Sequence, residues 1–137
     1  MKKVFICSPL RGEYQENIKN AKKYARYAAL KGNAVFAPHL LYTLFLTDDK
    51  EDERNIGIQS GKTFMSFCDE VWVFAKDEKS CSEGMLQEIE ATKSLSKVVK
   101  FVDPKVVEGM EIPLKRTQVP KKGEHYYEPW WEDLPLF

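Results

Sequence analysis

A carboxylate on the apolar face of a helix, one turn from its start, is the feature of this sequence that most needs a chemical reason. Residues from about Gly84 to Ser96 have helical spacing. At about 100° per residue, with Met85 at zero, Ile89 falls at about 40°, Thr92 at about 340° and Leu95 at about 280°. Glu88, at about 300°, lies inside that arc, whereas Gln87, Glu90 and Lys93 belong to the solvent side. Burial raises a carboxyl pKa, while a helix N-terminus and hydrogen bonds hold the group ionised. Two readings are open: an inward Glu paired with a Lys or backbone donors, or a reactive carboxylate.

The residues around it lean toward the second. Ser82-Glu83-Gly84-Met85 opens the helix. Ser82 is a favoured N-cap, and Gly84 leaves room for a ligand to approach the first-turn amides, which bind phosphate or another anion. Capping alone also accounts for Ser82. A second anion-friendly stretch, Ser8-Pro9-Leu10-Arg11-Gly12, follows the first apolar run. Its arginine has the fork that clamps phosphate bidentately, although a solvated surface arginine is the plainer reading. Asp69, in Cys68-Asp69-Glu70-Val71, reads most simply as the end of the preceding helix. The sequence has no Walker A and no GxGxxG pattern. Its two histidines, His39 and His125, lack metal-ligand spacing, and no metal site is expected. The three cysteines have no neighbouring histidine to activate them. A carboxylate is the nucleophile left over, and carboxylate nucleophiles belong mainly to glycosyl transfer.

These residues need a scaffold, and the apolar pattern supplies one. Val4 to Cys7, Ala34 to Ala37, Val71 to Ala75 and Val98 to Val102 read as strands. Between them, Tyr14, Ile18, Ala21, Ala25 and Ala28 mark one helix face, with Gly32-Asn33 as its stop. A second helix should follow the acidic run Asp48 to Glu53 and reach about Cys68, with Ile56, Phe64 and Phe67 inward. Strands alternating with helices predict an α/β fold: a three-layer sandwich with a small parallel sheet, flavodoxin-like or Rossmann-like, in strand order 2-1-3-4. Such sheets bind ligands beyond the carboxyl ends of the strands where the winding reverses. That places residues 7–14 and 75–84 around one crevice.

The α/β domain should occupy residues 1–103. Residues 104–137 form an extension holding five of the seven prolines and ending in Tyr126, Tyr127, Trp130, Trp131 and Phe137. Aromatic rings of that number are expected to pack on the domain, on a neighbouring subunit, or over the site as a lid. With 21 basic and 21 acidic residues the formal charge is zero, which argues against nucleic acid as a partner. No apolar run approaches the roughly 20 residues needed to span a bilayer, so no membrane association is expected. An odd number of cysteines without CxxC spacing, and no apolar leader, point to a cytoplasmic protein.

Taken in order, Val4 to Gly12, Ala37-Pro38-His39, Cys68 to Phe74 and Ser82 to Ile89 resemble the nucleoside 2-deoxyribosyltransferase-like superfamily. That superfamily includes the transferases and the (deoxy)nucleoside 5′-monophosphate N-glycosidases; the closest likeness is to an uncharacterised bacterial and phage branch. The resemblance implies a compact α/β sandwich, a homodimer or higher homo-oligomer, no cofactor, and a nucleoside or nucleotide as small-molecule partner. It gives Glu88 the part of the nucleophile at the anomeric carbon and Asp69 that of an aspartate assisting protonation of the leaving base. Ser82 stands where transferases acting on free nucleosides carry aspartate and the monophosphate hydrolases carry serine. Leu86 stands where members often have a second glycine. The expected phosphate and sugar contacts are then Ser8, Arg11, Gly12, Ser82, Gly84 and Met85, with Tyr14 either lining the sugar pocket or packing. The function expected is cleavage of the N-glycosidic bond of a nucleoside 5′-monophosphate through a glycosyl-glutamate intermediate. Base exchange between deoxynucleosides and a non-catalytic nucleotide sensor are the alternatives.

Overall fold

The computed structural model describes residues 1–113. Four strands, β1 (Lys3–Cys7), β2 (Ala34–Phe36), β3 (Glu70–Phe74) and β4 (Val98–Val102), form one sheet in the order β2-β1-β3-β4. Every pairing is parallel, with Phe5 opposite Phe36 and Val71 and with Val73 opposite Phe101. Helices α1 (Tyr14–Leu30), α2 (Pro38–Leu41), α3 (Glu51–Met65) and α4 (Glu83–Ser94) connect them, with short 3₁₀ turns after α2, before α4 and after β4. This is the α/β sandwich that the alternation of apolar runs predicts.

Side chains alternate across the sheet with the period of two that extended backbone imposes. Val4, Ile6, Trp72 and Phe74 point to one face and pack with Tyr24 and Ala28 of α1. Phe5, Cys7, Val71 and Val73 point to the other, against Met65 of α3 and Met85 and Ile89 of α4. β3 is covered on both sides, as its unbroken apolar run implies. The stacking of Tyr24 on Phe74, with ring centroids 4.2 Å apart, fixes α1 on its face. Val107, in the 3₁₀ turn Pro104–Val107, is buried in the same cluster. The start of the extension therefore folds onto the domain, and its aromatic end, with His125, lies outside the described residues.

The facing of α3, and single positions at the ends of α1 and α4, differ from the sequence expectation. Ile56, Phe64 and Phe67 are 54%, 50% and 67% exposed instead of inward. The inward stripe of α3 runs through Gly57, Gly61 and Met65, and on to Cys68. Added Cβ atoms would sit 3.8 Å from Tyr42 at Gly57 and 3.6 Å from Pro38 at Gly61, so the two glycines let α3 lie close over α2 and the turn after it. On α1 the buried aromatic is Tyr24, while Tyr14 at the helix start is 41% exposed. Leu95, past the end of α4, is also exposed because the chain turns at Ser96 with φ of 57°. Among the described residues no helix is long and apolar enough to cross a membrane.

Candidate active site

In a parallel sheet of this order, β1 sends its chain outward to β2 and β3 sends its chain the other way to β4. The loops after β1 and β3 therefore part, and a crevice opens at their carboxyl ends. A cavity of about 430 Å³ occupies that position, within the usual range for small-molecule sites. Its wall combines Ser8 and Arg11 after β1 with Ser82, Gly84, Met85 and Glu88 from the start of α4. Six of the nine residues singled out from the sequence thus meet in one place.

Glu88 presents its carboxyl to this cavity from the second turn of α4. Burial raises its pKa from the usual carboxylate range to about 8, opposed in part by a hydrogen bond from the Cys7 thiol and by the charge of Lys62. Cys7 reaches it because the pleat of β1 turns alternate residues toward α4; the thiol also lies 3.8 Å from the Met85 carbonyl. Burial, and then the Glu88 charge, hold the Cys7 pKa well above the ordinary thiol range, so Cys7 stays a neutral donor. Among the described residues no ion pair reaches Glu88, which departs from the reading of a structural glutamate paired with a lysine. The helix itself is anchored beneath it: Thr92 is fully buried and its hydroxyl donates to the Glu88 carbonyl at 2.7 Å.

The start of α4 leaves its first amides open to the cavity. Ser82 caps the helix, its Oγ accepting the Met85 N–H at 3.3 Å, so the first-turn amides before it are free of helical partners. A Cβ added at Gly84 would meet nothing within 4 Å, so the space there is open to a ligand. Across the cavity, Asn17 of α1 donates to the carbonyls of Leu10 and Arg11, each at 3.0 Å, and so shapes the loop that carries Arg11. The Arg11 side chain pairs with Asp48 at 3.0 Å.

Three expected site residues lie elsewhere. Asp69 precedes β3 and is exposed at the amino end of the sheet, where it accepts the Lys3 N–H at 2.8 Å and pairs with the Lys3 ammonium at 3.5 Å. Five residues of parallel strand separate it from the crevice, about 17 Å at roughly 3.3 Å per residue. The backbone hydrogen bond from Lys3 lowers its pKa. Gly12 is exposed and off the cavity wall; its φ of 90° serves the turn into α1, where the Tyr14 N–H donates to its carbonyl. Tyr14 is likewise absent from the wall and only partly covered.

Residues 38–62 supply the side of the site that the sequence reading missed. His39 Nε2–H donates to the Ser8 carbonyl at 2.8 Å, and burial lowers its pKa, leaving it neutral near pH 7. Tyr42, Asp48, Arg54 and Lys62 also line the cavity. The Tyr42 hydroxyl is buried without a hydrogen-bond partner among the described residues. No group of three or more His, Cys, Asp or Glu side chains among the described residues is placed to hold a metal ion.

Solved structures with this fold include a 2-deoxyribosyltransferase from the bacterium Bacillus psychrosaccharolyticus. It superposes with a TM-score of 0.60 at 20% identity, over 74% of this chain and 72% of that one. A 2-deoxyribosyltransferase from Leishmania mexicana aligns over 75% of this chain and 65% of its own, with 18% identity and a TM-score of 0.48. At such identities the likeness is one of fold. No curated protein matches the sequence. Residues 2–102 match the model of a family described as a domain of unknown function (DUF7768), and the chain belongs to that family.

Proposed function

We propose that the protein cleaves the N-glycosidic bond of a (deoxy)nucleoside 5′-monophosphate, with Glu88 as the nucleophile. The observation that carries this reading is the meeting of Glu88 with two anion-binding features, the Ser82–Gly84 helix start and the Ser8–Arg11 loop, in a single cavity. A phosphate held at the helix start would leave the sugar to reach toward Glu88, one turn further along α4. The carboxylate attacks C1′ as the bond to the base breaks and its electron pair leaves with the base, which takes up a proton. The resulting ester is opened by water at C1′, so two inversions return Glu88 and release a sugar phosphate. Asp69 has no part in this scheme, because it stands at the other end of the sheet. The leaving base takes its proton from the cavity wall or from solvent.

Base exchange is the second reading, favoured by the fold likeness to the Bacillus psychrosaccharolyticus enzyme. It shares the Glu88 ester and differs in the acceptor. Incubating the protein with nucleosides and their 5′-monophosphates, alone and with a second free base, separates the two by chromatography of the bases. Base released chiefly from monophosphates supports hydrolysis. Exchange without a phosphate preference supports transfer, and binding with no base released leaves a sensor.

A carboxylate nucleophile with a pKa of about 8 must lose its proton to act, so kcat/KM should rise with pH up to about 8 and then level. Cys7 tunes that rise. Cys7→Ala removes a hydrogen bond that favours the carboxylate and should move the rise to higher pH; Cys7→Ser, a stronger donor, should move it lower. A profile identical in all three proteins would separate Cys7 from the nucleophile.

A further inference from the structure

Two arginines converge on one carboxylate at the wall of the cavity. Arg11 Nε donates to Asp48 Oδ2 at 3.0 Å, while Arg54 Nε stands 3.5 Å from Asp48 Oδ1. Each carboxylate oxygen therefore faces a different guanidinium. Arg11 comes from the loop after β1, Arg54 from the first turn of α3, and Asp48 from the turn between α2 and α3. All three line the cavity that holds Ser82 and Gly84. The Asp48 and Arg54 side chains are 20% and 27% exposed, and that of Arg11 is 60% exposed.

Two guanidiniums share the single carboxylate of Asp48, the more exposed Arg11 being the freer of the two to turn toward a ligand. Among the described residues the Arg54 guanidinium donates no side-chain hydrogen bond, and Arg11 reaches the Asp48 main-chain oxygen only at 3.5 Å. A carboxylate gives these forks one oxygen each. A phosphate monoester brings about −1.5 to −2 charge and three acceptor oxygens near pH 7, enough to engage both guanidiniums at once.

We propose that Arg11, Asp48 and Arg54 form an anion-exchange clamp, in which Asp48 holds the two guanidiniums together until the 5′-phosphate of the substrate takes its place. Arg54 is then a second phosphate-binding residue and Asp48 sets the threshold for entry. This inference rests on the monophosphate reading of the site. It also gives that reading a selectivity mechanism, since an uncharged nucleoside has nothing with which to displace Asp48.

The test is calorimetric titration with ribose 5-phosphate and 2-deoxyribose 5-phosphate, against the unphosphorylated sugars, which avoids any assumption about the base. The wild-type protein should bind at least one phosphosugar and neither plain sugar. Arg54→Gln should weaken that binding about tenfold to a hundredfold, as should Arg11→Gln, the range expected for lost charge-assisted bonds. Arg54→Lys, which keeps the charge and loses the fork, should fall between, and it serves if Arg54→Gln fails to fold. Asp48→Asn should tighten binding several-fold by removing the competitor. Unchanged affinity in Arg54→Gln beside a loss in Arg11→Gln overturns the clamp and leaves the monophosphate reading standing. Weaker binding in Asp48→Asn, as large as in Arg54→Gln, overturns the exchange and makes Asp48 a positioning residue. Failure of the wild-type protein to distinguish phosphosugar from sugar removes the monophosphate reading, and the clamp with it.

Discussion

Glu88→Gln is expected to abolish turnover and, in the same protein, to raise the melting temperature. Loss of the nucleophile should cost about 10³-fold or more in kcat, some 4 kcal/mol at 1.36 kcal/mol per tenfold. The gain in stability follows from the buried carboxyl. Its pKa is near 8 in the folded protein against 4.5 for an ordinary glutamate. Between those values the folded protein keeps a proton that the unfolded chain has released, so stability falls as pH rises through that window. The deficit is complete above about pH 8 and absent below pH 4.5. Glutamine carries no such deficit, and its gain should reach on the order of 2–4 kcal/mol near pH 8 and fade toward pH 5. That corresponds to roughly 7–14 °C in a domain of this size. Thermal melts of both proteins at pH 5, 7 and 8.5 measure it. A melting temperature lowered equally at every pH would make Glu88 a structural residue.

The second large effect is a preference for the 5′-phosphate. A charge-assisted hydrogen bond contributes roughly 1.5–3 kcal/mol, so two or more at the helix start and the Arg11 loop should favour the monophosphate several hundred-fold in kcat/KM. Ser82→Asp places a carboxylate where the phosphate would lie. It should cut kcat/KM for the monophosphate by about tenfold or more, since like charges in contact repel, and affect the free nucleoside far less. The fold should tolerate the change, because aspartate caps a helix as well as serine does. Equal losses on both substrates would mean that Ser82 serves the helix alone and the phosphate binds elsewhere.

The parts of this molecule that were legible in its sequence are those set by local pattern. Val71 to Phe74 can only be a strand covered on both faces, and the inward arc of α4 puts Glu88 toward the core whatever the rest does. The facing of α3 was hidden because its inward stripe is written in Gly57 and Gly61, residues that an apolar count passes over, while Phe64 and Phe67 drew the reading outward. Beyond Ala37-Pro38-His39, the segment around residues 38–54 carries no motif. His39, Asp48 and Arg54 become site residues only because α2 and the following turn fold back over the crevice. Asp69 shows a different failure. It sits before β3, and in a parallel sheet the amino end of a strand lies away from the ligand crevice, so strand direction alone argued against the role that the resemblance gave it.

Whether a glycosyl group passes through Glu88 can be observed directly. The protein is mixed with the monophosphate that turns over fastest, quenched in acid within the first turnovers, and weighed intact by mass spectrometry. The expected result is a fraction of molecules heavier by one (deoxy)ribosyl phosphate, with the added mass on the peptide containing Glu88 and none in Glu88→Gln. Base release continuing in Glu88→Gln, or an adduct on any other residue, would contradict it.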